Sequence, residues 1–321
     1  MTIIKQLQQK VLSNSSISKD EAMTLLDSDL DELCLAANEL RQNFCSNRFD
    51  ICVIINGKSG KCSENCKFCA QSSHHQVPLE IYPLLTTDNI LKDALYNWQK
   101  GILRYSVVTS GKRLSNQEVE IICNTYQQIK SACSISLCAS HGLLSFEQFL
   151  QLKNAGVTRY HNNLETSRAY FPQICTTHTY DDKLTAIDHA RKAGLEICSG
   201  GIIGLGESRE DRIDMALTLR DLEITSVPIN IFSPITGTPF AALPLLSTDE
   251  VRRTTAIFRF ILPSAAIRLA GGRGLMPDKG KSAFASGANA AISGDMLTTS
   301  GISINEDMAI INELGYQVSS L

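Results

Sequence analysis

No run of apolar residues in this 321-residue chain is long enough to cross a bilayer as a helix. The N-terminus, Met1 to Lys10, is amphipathic and lacks the continuous apolar stretch of a secretory signal. Neither sign of charge prevails. Lys and Arg number 30 against 33 Asp and Glu, a net charge of −3, so nothing marks a surface for nucleic acid or anionic lipid. Linkers and low-complexity tracts are missing too. The cysteines number 11, and an odd count argues against a secreted disulfide framework. These absences leave a globular enzyme expected in the cytoplasm, with neither nucleic acid nor membrane as partner. A hydrophobic content of 43% supports a large core, and the length admits one large barrel or two ordinary domains.

What the chain does have is a run of three close cysteines, Lys61-Cys62-Ser63-Glu64-Asn65-Cys66-Lys67-Phe68-Cys69-Ala70. Three thiolates at CxxxCxxC spacing can converge on one soft metal site, and thiolates select zinc, copper(I) or iron–sulfur clusters. Structural zinc normally takes four ligands in paired groups, and ordinary electron-transfer clusters take four cysteines. Three cysteines with no adjacent fourth ligand suit a [4Fe–4S] cluster with one open iron, which implies that the cluster binds something. A zinc knuckle and a chance grouping of buried cysteines are the bland alternatives. Exposed chemistry of this kind implies low oxygen, at least locally.

Strand-like and helix-like stretches alternate along the chain. Probable strands are Ile51–Ile55, Leu103–Val108, Ser134–Ala139, Thr158–Leu164, Glu196–Ile202, Val227–Phe232, Ala265–Leu269 and Ala288–Ile292. Helical stretches lie between them, at Asp88–Gln99, Asn116–Lys130, Ser145–Asn154, Tyr180–Ala193, Glu210–Leu222 and Ser247–Leu262. Several of these stop at a glycine, as at Gly156 and Gly194. Ser18 and Glu21 form a capping box in an N-terminal helical segment. The fold expected is an α/β (β/α)₈ TIM-type barrel forming a single domain over 1–321. Within it, 1–45 would be a helical cap, 46–300 the barrel and 301–321 a C-terminal segment. The cysteine triad follows the first strand closely and so falls at the face where such barrels hold their active sites.

The triad, with Phe68 before its third cysteine, resembles the radical S-adenosylmethionine (SAM) superfamily. Further along, the resemblance narrows to the biotin synthase family. It rests on Tyr160-His-Asn-Asn-Leu-Glu-Thr166-Ser167, Thr176-Thr177-His-Thr-Tyr180, Cys198-Ser-Gly-Gly-Ile-Ile-Gly-Leu-Gly-Glu207, Ser226-Val-Pro-Ile-Asn230, Gly237-Thr-Pro239, Ile267-Arg-Leu269, Gly287-Ala-Asn289 and Leu297-Thr-Thr299. It covers about Ile51 to Thr299. The reaction implied is radical insertion of sulfur into dethiobiotin to form biotin. A low-potential donor such as flavodoxin or ferredoxin and a homodimer come with the resemblance.

The same resemblance implies roles. Cys62, Cys66 and Cys69 would hold the [4Fe–4S] cluster. Asn163, Glu165, Lys183, Gly201, Gly204 and Glu207 would bind SAM. Family members usually carry Asp at the Glu165 position and Arg at the Lys183 position, and lysine keeps the charge but loses the bidentate fork. Dethiobiotin would be held by Asn163 and Asn230, with Thr298 and Thr299 near its carboxylate. An auxiliary iron–sulfur cluster supplies sulfur, and Cys138, Cys198 and Arg268 match three of its usual ligand positions, with a role in catalysis. The fourth position falls on Ser106, so the usual [2Fe–2S] ligand set is broken. Cys52 on the first strand is the preferred replacement, with Cys175 and Cys133 as further candidates. The expected auxiliary cluster is then of another type, a four-iron cluster with an extra sulfide being the candidate. Cys34, Cys45 and Cys123 read as core or surface residues, and His74, His75, His161 and His178 are given no catalytic role. The alternatives are another radical SAM barrel enzyme, such as a hydrogenase-cluster maturase, and a non-enzymatic iron–sulfur electron carrier or sensor.

Overall fold

The computed structural model describes residues 1–321. Three helices open the chain: α1 (Ile3–Leu12), α2 (Lys19–Thr24) and α3 (Leu30–Cys45). Then β1 (Arg48–Lys58), α4 (Thr87–Gln99), β2 (Arg104–Thr109), α5 (Asn116–Ala132), β3 (Ser136–Ser140), α6 (Phe146–Asn154) and β4 (Arg159–His161) alternate. They are followed by α7 (Phe171–Ile174), α8 (Tyr180–Lys192), β5 (Glu196–Cys198), β6 (Gly201–Ile203), α9 (Arg209–Asp221), β7 (Ser226–Ile231), α10 (Thr248–Ile261) and β8 (Ala266–Leu269). The chain ends with α11 (Lys281–Phe284), β9 (Ala290–Ser293), α12 (Ile304–Glu313) and β10 (Gln317–Val318).

All pairings among these strands are parallel, and β1 bonds to β2 on one side and β9 on the other, which closes the sheet. The result is an eight-stranded barrel in which β5 and β6 are two halves of the fifth strand. Each sequence-expected strand is present, with two changes. The fourth stops at His161 because the chain leaves the ladder there; Glu165 takes a left-handed φ of 72° and its N–H bonds to Gly200 O at 3.1 Å. The fifth breaks at Ser199–Gly200, where a Cβ on Gly200 would lie 1.9 Å from the Pro228 carbonyl oxygen.

Helix boundaries follow side-chain chemistry. Capping boxes open α2, α5, α6, α8, α9 and α12, and Gly156 and Gly194 turn the chain after α6 and α8 with φ of 100° and 82°. Of the first three helices, α3 packs on α10 and α1, and α2 on α9. β10 pairs with the start of β1, away from the strand C-termini, and was not expected from the sequence. No helix is long and apolar enough to cross a membrane.

Candidate active site

The loop after β1 carries the triad. Its form is set by polar groups within it: Cys62 N–H bonds to Gln71 O at 3.0 Å, Cys69 N–H to Cys66 O at 3.0 Å, and Ser72 Oγ donates to Glu64 O at 2.6 Å. The segment after α7 clamps it from outside. Lys67 N–H bonds to Ile174 O at 2.9 Å, and Asn65 Oδ1 accepts the Thr176 N–H at 2.9 Å. His74 and His75 contribute to the same loop, their ring nitrogens lying 3.0 Å from Ser63 O and Cys66 O. All three triad cysteines are free and half-buried.

Phe68, Cys69, Ala70 and Gln71 form one wall of a cavity of about 370 Å³ that runs down into the barrel. A barrel interior is normally filled by branched apolar side chains. The deep layer here holds Cys52, Cys138 and Cys198 together with Ser106, Arg104, Arg159 and Arg268. Strand register explains the convergence. Ser106 pairs with Cys138 across β2 and β3, His161 with Cys198 across β4 and β5, and Cys52 lies two residues before the Ile54 that pairs with Ser106.

Arg268 reaches Cys52 Sγ at 3.2 Å and Asp50 Oδ1 at 2.9 Å, both side chains of the ion pair being buried. The anion this arginine needs is therefore supplied within the chain by Asp50, not only by a bound group. Burial opposes ionisation of Asp50, but Arg268 outweighs it and holds the carboxyl below its usual range. Burial pushes the Cys52 thiol up to about 12. Burial acts the same way on Cys198, but a hydrogen bond from His161 and the charges of Arg268 and Arg159 bring it down to about 6. Asp50→Asn should cost about 3–5 kcal/mol of unfolding free energy in iron-free protein, because it strands a buried guanidinium; urea denaturation measures this.

The donor set fits an iron–sulfur group. Three thiols share one cavity with three arginines, and the buried Arg104 Nε has no partner. Cys52 lies with Cys138 and Cys198 as expected. Cys175 does not: its Sγ sits beside Cys66, so it is excluded as an auxiliary ligand. Cys133 closes α5 outside the cavity, and Cys34 and Cys45 are buried on α3.

Two amides sit above the thiol layer, each half committed. Asn163 Oδ1 accepts Gly200 N–H at 3.1 Å and its Nδ2 donates to Glu165 Oε2 at 3.2 Å. Asn230 Nδ2 donates to Gly201 O at 3.1 Å and its Oδ1 accepts Gly271 N–H at 3.0 Å. An amide offers two donors and two acceptor sites, so each retains one of both for a ligand while backbone bonds fix its orientation. Thr298 and Thr299 complete the rim.

Other sequence-expected SAM residues stand differently. Gly201 and Gly204 do not line the cavity. Gly201 is needed for chain packing, since a Cβ would come within 2.3 Å of Glu165 O and 2.4 Å of Met215 Sδ. The Glu207 carboxylate accepts Gly204 N–H at 2.7 Å and Leu205 N–H at 2.6 Å and pairs with Arg212 at 2.6 Å, which braces the turn. Lys183 Nζ bonds Asn162 Oδ1 at 3.2 Å, also outside the cavity wall. Sequence reasoning missed Arg104, Arg159 and the placement of His161. The available signal was an ionisable residue inside an apolar strand pattern.

Residues 58–219 match the family model of the Radical SAM superfamily, and 228–317 match the Biotin and Thiamin Synthesis associated domain. A biotin synthase of Clostridium botulinum (strain Hall) is 56% identical over 318 residues, covering 99% of this chain and 100% of that one. A biotin synthase of Akkermansia muciniphila is also 56% identical over 318 residues, 99% of each chain. Among solved structures, methylornithine synthase superposes with a TM-score of 0.85 at 18% identity, over 98% of this chain and 97% of its own. The [FeFe]-hydrogenase maturase HydG superposes at 0.84 and 19% identity, over 99% and 76%. Those two likenesses establish the fold. The full-length identity to the first two relatives establishes more, and on it the chain belongs to the biotin synthase family, radical SAM sulfurtransferases that use a [4Fe–4S] cluster, SAM and an auxiliary iron–sulfur cluster.

Proposed function

We propose that the barrel cavity is where this protein carries out its family's reaction, insertion of sulfur into dethiobiotin to give biotin. One observation carries the placement: the cluster-loop wall, two oriented amides and a deep layer of thiols and arginines share a single cavity. Bound there, the cofactors supply a radical able to take hydrogen from unactivated carbon and a sulfide to replace it, chemistry that no side-chain acid or base could do.

In this reading Cys62, Cys66 and Cys69 hold the [4Fe–4S] cluster at the open end of the barrel. Cys52, Cys138 and Cys198, beside Arg268, hold the auxiliary cluster at the closed end. Asn163 and Glu165 meet SAM between them. The free donors and acceptors of Asn163 and Asn230 match the ureido ring of dethiobiotin, and Thr298 and Thr299 meet its carboxylate. Ile54, Val108, Ile202, Ile231 and Ile292 supply apolar wall, which keeps water from the reacting carbon. Lys183 and Glu207 act in support of the loops instead of on SAM.

Anaerobic protein given a low-potential reductant, SAM and dethiobiotin should form biotin and 5′-deoxyadenosine, both read by mass spectrometry. Deoxyadenosine without consumption of dethiobiotin would refute the substrate assignment while leaving the radical chemistry in place. A flavodoxin- or ferredoxin-type donor, a homodimer and a cytoplasmic location complete the proposal. They are tested by reconstitution with each donor, sedimentation and cell fractionation.

A further inference from the structure

We infer that Asn56 is a positioning residue that latches the rim loop over the substrate tail and so sets how tightly the carboxylate of dethiobiotin is held; this rests on the assignment of Thr298 and Thr299 to that carboxylate. The loop follows β9 and runs from Gly294 to Ile302. Its base is closed by Gly294 N–H on Ile302 O at 2.7 Å, with Ser293 Oγ donating to the same oxygen at 3.3 Å. Its tip is folded on itself, Met296 N–H bonding to Thr299 O at 2.9 Å. Met296, Leu297, Thr298 and Thr299 all line the cavity. One hydrogen bond ties that tip to the rest of the molecule: Asn56 Nδ2 donates to Leu297 O at 2.9 Å.

The end of β1 puts the amide there. Cys52 and Ile54 line the cavity, and Asn56 is the next residue on that inward face. Directly after it the pairing with β2 slips, between Asn56 and Lys58. A bulge of this kind bends a strand and re-aims the side chains beside it. The Tyr82 hydroxyl donates to the Asn56 carbonyl at 2.8 Å and holds the backbone where the ladder ends. The amide has one possible orientation, because a carbonyl only accepts and Nδ2 must face Leu297 O. Asn56 Oδ1 is buried without a partner, which counts against stability, so the side chain acts through the bond it donates. Without that bond, only the tip's own turn orders Thr298 and Thr299. The cost of fixing the two hydroxyls then falls on the substrate and weakens its binding.

The test compares dethiobiotin with its methyl ester, which lacks the anionic tail, by equilibrium dialysis of the labelled compounds against the full chain carrying its clusters and SAM. Asn56→Ala should weaken dethiobiotin about three- to tenfold, the usual reach of one hydrogen bond, and leave the ester as in wild type. KM for dethiobiotin should rise with it while kcat holds, since the tail is remote from the reacting carbons. Asn56→Asp should weaken dethiobiotin further, having no proton for Leu297 O and adding a negative charge to the rim. Asn56→Ala removes the orphaned acceptor together with the donor, so the fold should persist, and iron content checks it. Unchanged affinity for dethiobiotin in Asn56→Ala overturns the inference. So does an equal loss for acid and ester, which would mark general damage to the cavity. Thr298→Val combined with Thr299→Val tests the assignment beneath it. A wild-type preference for acid over ester in that double variant refutes the carboxylate assignment and the latch with it. Loss of the preference there, beside a wild-type preference in Asn56→Ala, refutes the latch alone.

Discussion

Alanine at Cys62, Cys66 or Cys69 should abolish reductive cleavage of SAM and remove the SAM-responsive cluster. The three thiols stand in one loop closed by the Cys62–Gln71 and Cys69–Cys66 backbone bonds, and the loop holds no fourth cysteine. A cubane with one open iron uses every one of them, and loss of a thiolate either releases the cluster or opens a second iron. Rate loss should be several orders of magnitude, since no side chain replaces the radical route to an unactivated carbon. The measurement is 5′-deoxyadenosine yield and iron content in anaerobic protein. Cys175 sharpens the test, because its sulfur lies close enough to Cys66 to stand in for it. Residual cluster in Cys66→Ala that disappears in Cys66→Ala with Cys175→Ala would show that substitution. Wild-type deoxyadenosine formation in any single triad variant would sink the assignment.

Cys52→Ala, Cys138→Ala and Cys198→Ala should each strip iron from the auxiliary site, leave the triad cluster in place and end biotin formation. All three sulfurs line the deep end of the cavity, and Arg268 lies 3.2 Å from the Cys52 sulfur. Ser106→Ala should be mild. Its neighbour Cys138 sits across the β2–β3 ladder, but a hydroxyl is a poor iron ligand beside three thiolates. Deoxyadenosine should still form in the three cysteine variants, since cleavage of SAM belongs to the other cluster. A full auxiliary cluster in Cys52→Ala combined with its loss in Ser106→Ala would reverse the argument and make serine the ligand. Iron and sulfide counts with Mössbauer spectra would also state the type of the auxiliary cluster, for which Arg104, the lining arginine not paired with a carboxylate, favours an anionic group.

The fold was legible because its signals are local. Eight strand stretches, the glycines after α6 and α8 and the capping box at Ser18 all act within a few residues of themselves. The two strand corrections, at His161 and at Ser199–Gly200, come from a contact between chain segments: Glu165 in its left-handed conformation bonds to Gly200, and no short-range pattern announces it. The bonds of Glu207 were likewise not legible in the sequence. A carboxylate after a glycine-rich turn reads as a ligand contact, yet two N–H groups of that turn and Arg212 consume it.

The sequence by itself singled out the triad, three thiols within one short loop, although only Cys69 of the three lines the cavity and only Cys66 joins a compact group of ligand atoms, with Cys175 and His178. It also determined the barrel, because alternating periods of two and near four residues demand a parallel sheet wrapped by helices. Tertiary structure alone decided which other cysteines matter. Cys52, Cys138 and Cys198 stand on three different strands and line one cavity because the β1–β9 pairing closes the sheet and register turns their side chains inward. Cys175 is 110 positions from Asn65, yet the clamp places it on the triad loop and not in the auxiliary site. Spacing along a chain constrains only what the backbone can reach directly, and barrel closure and register set the rest.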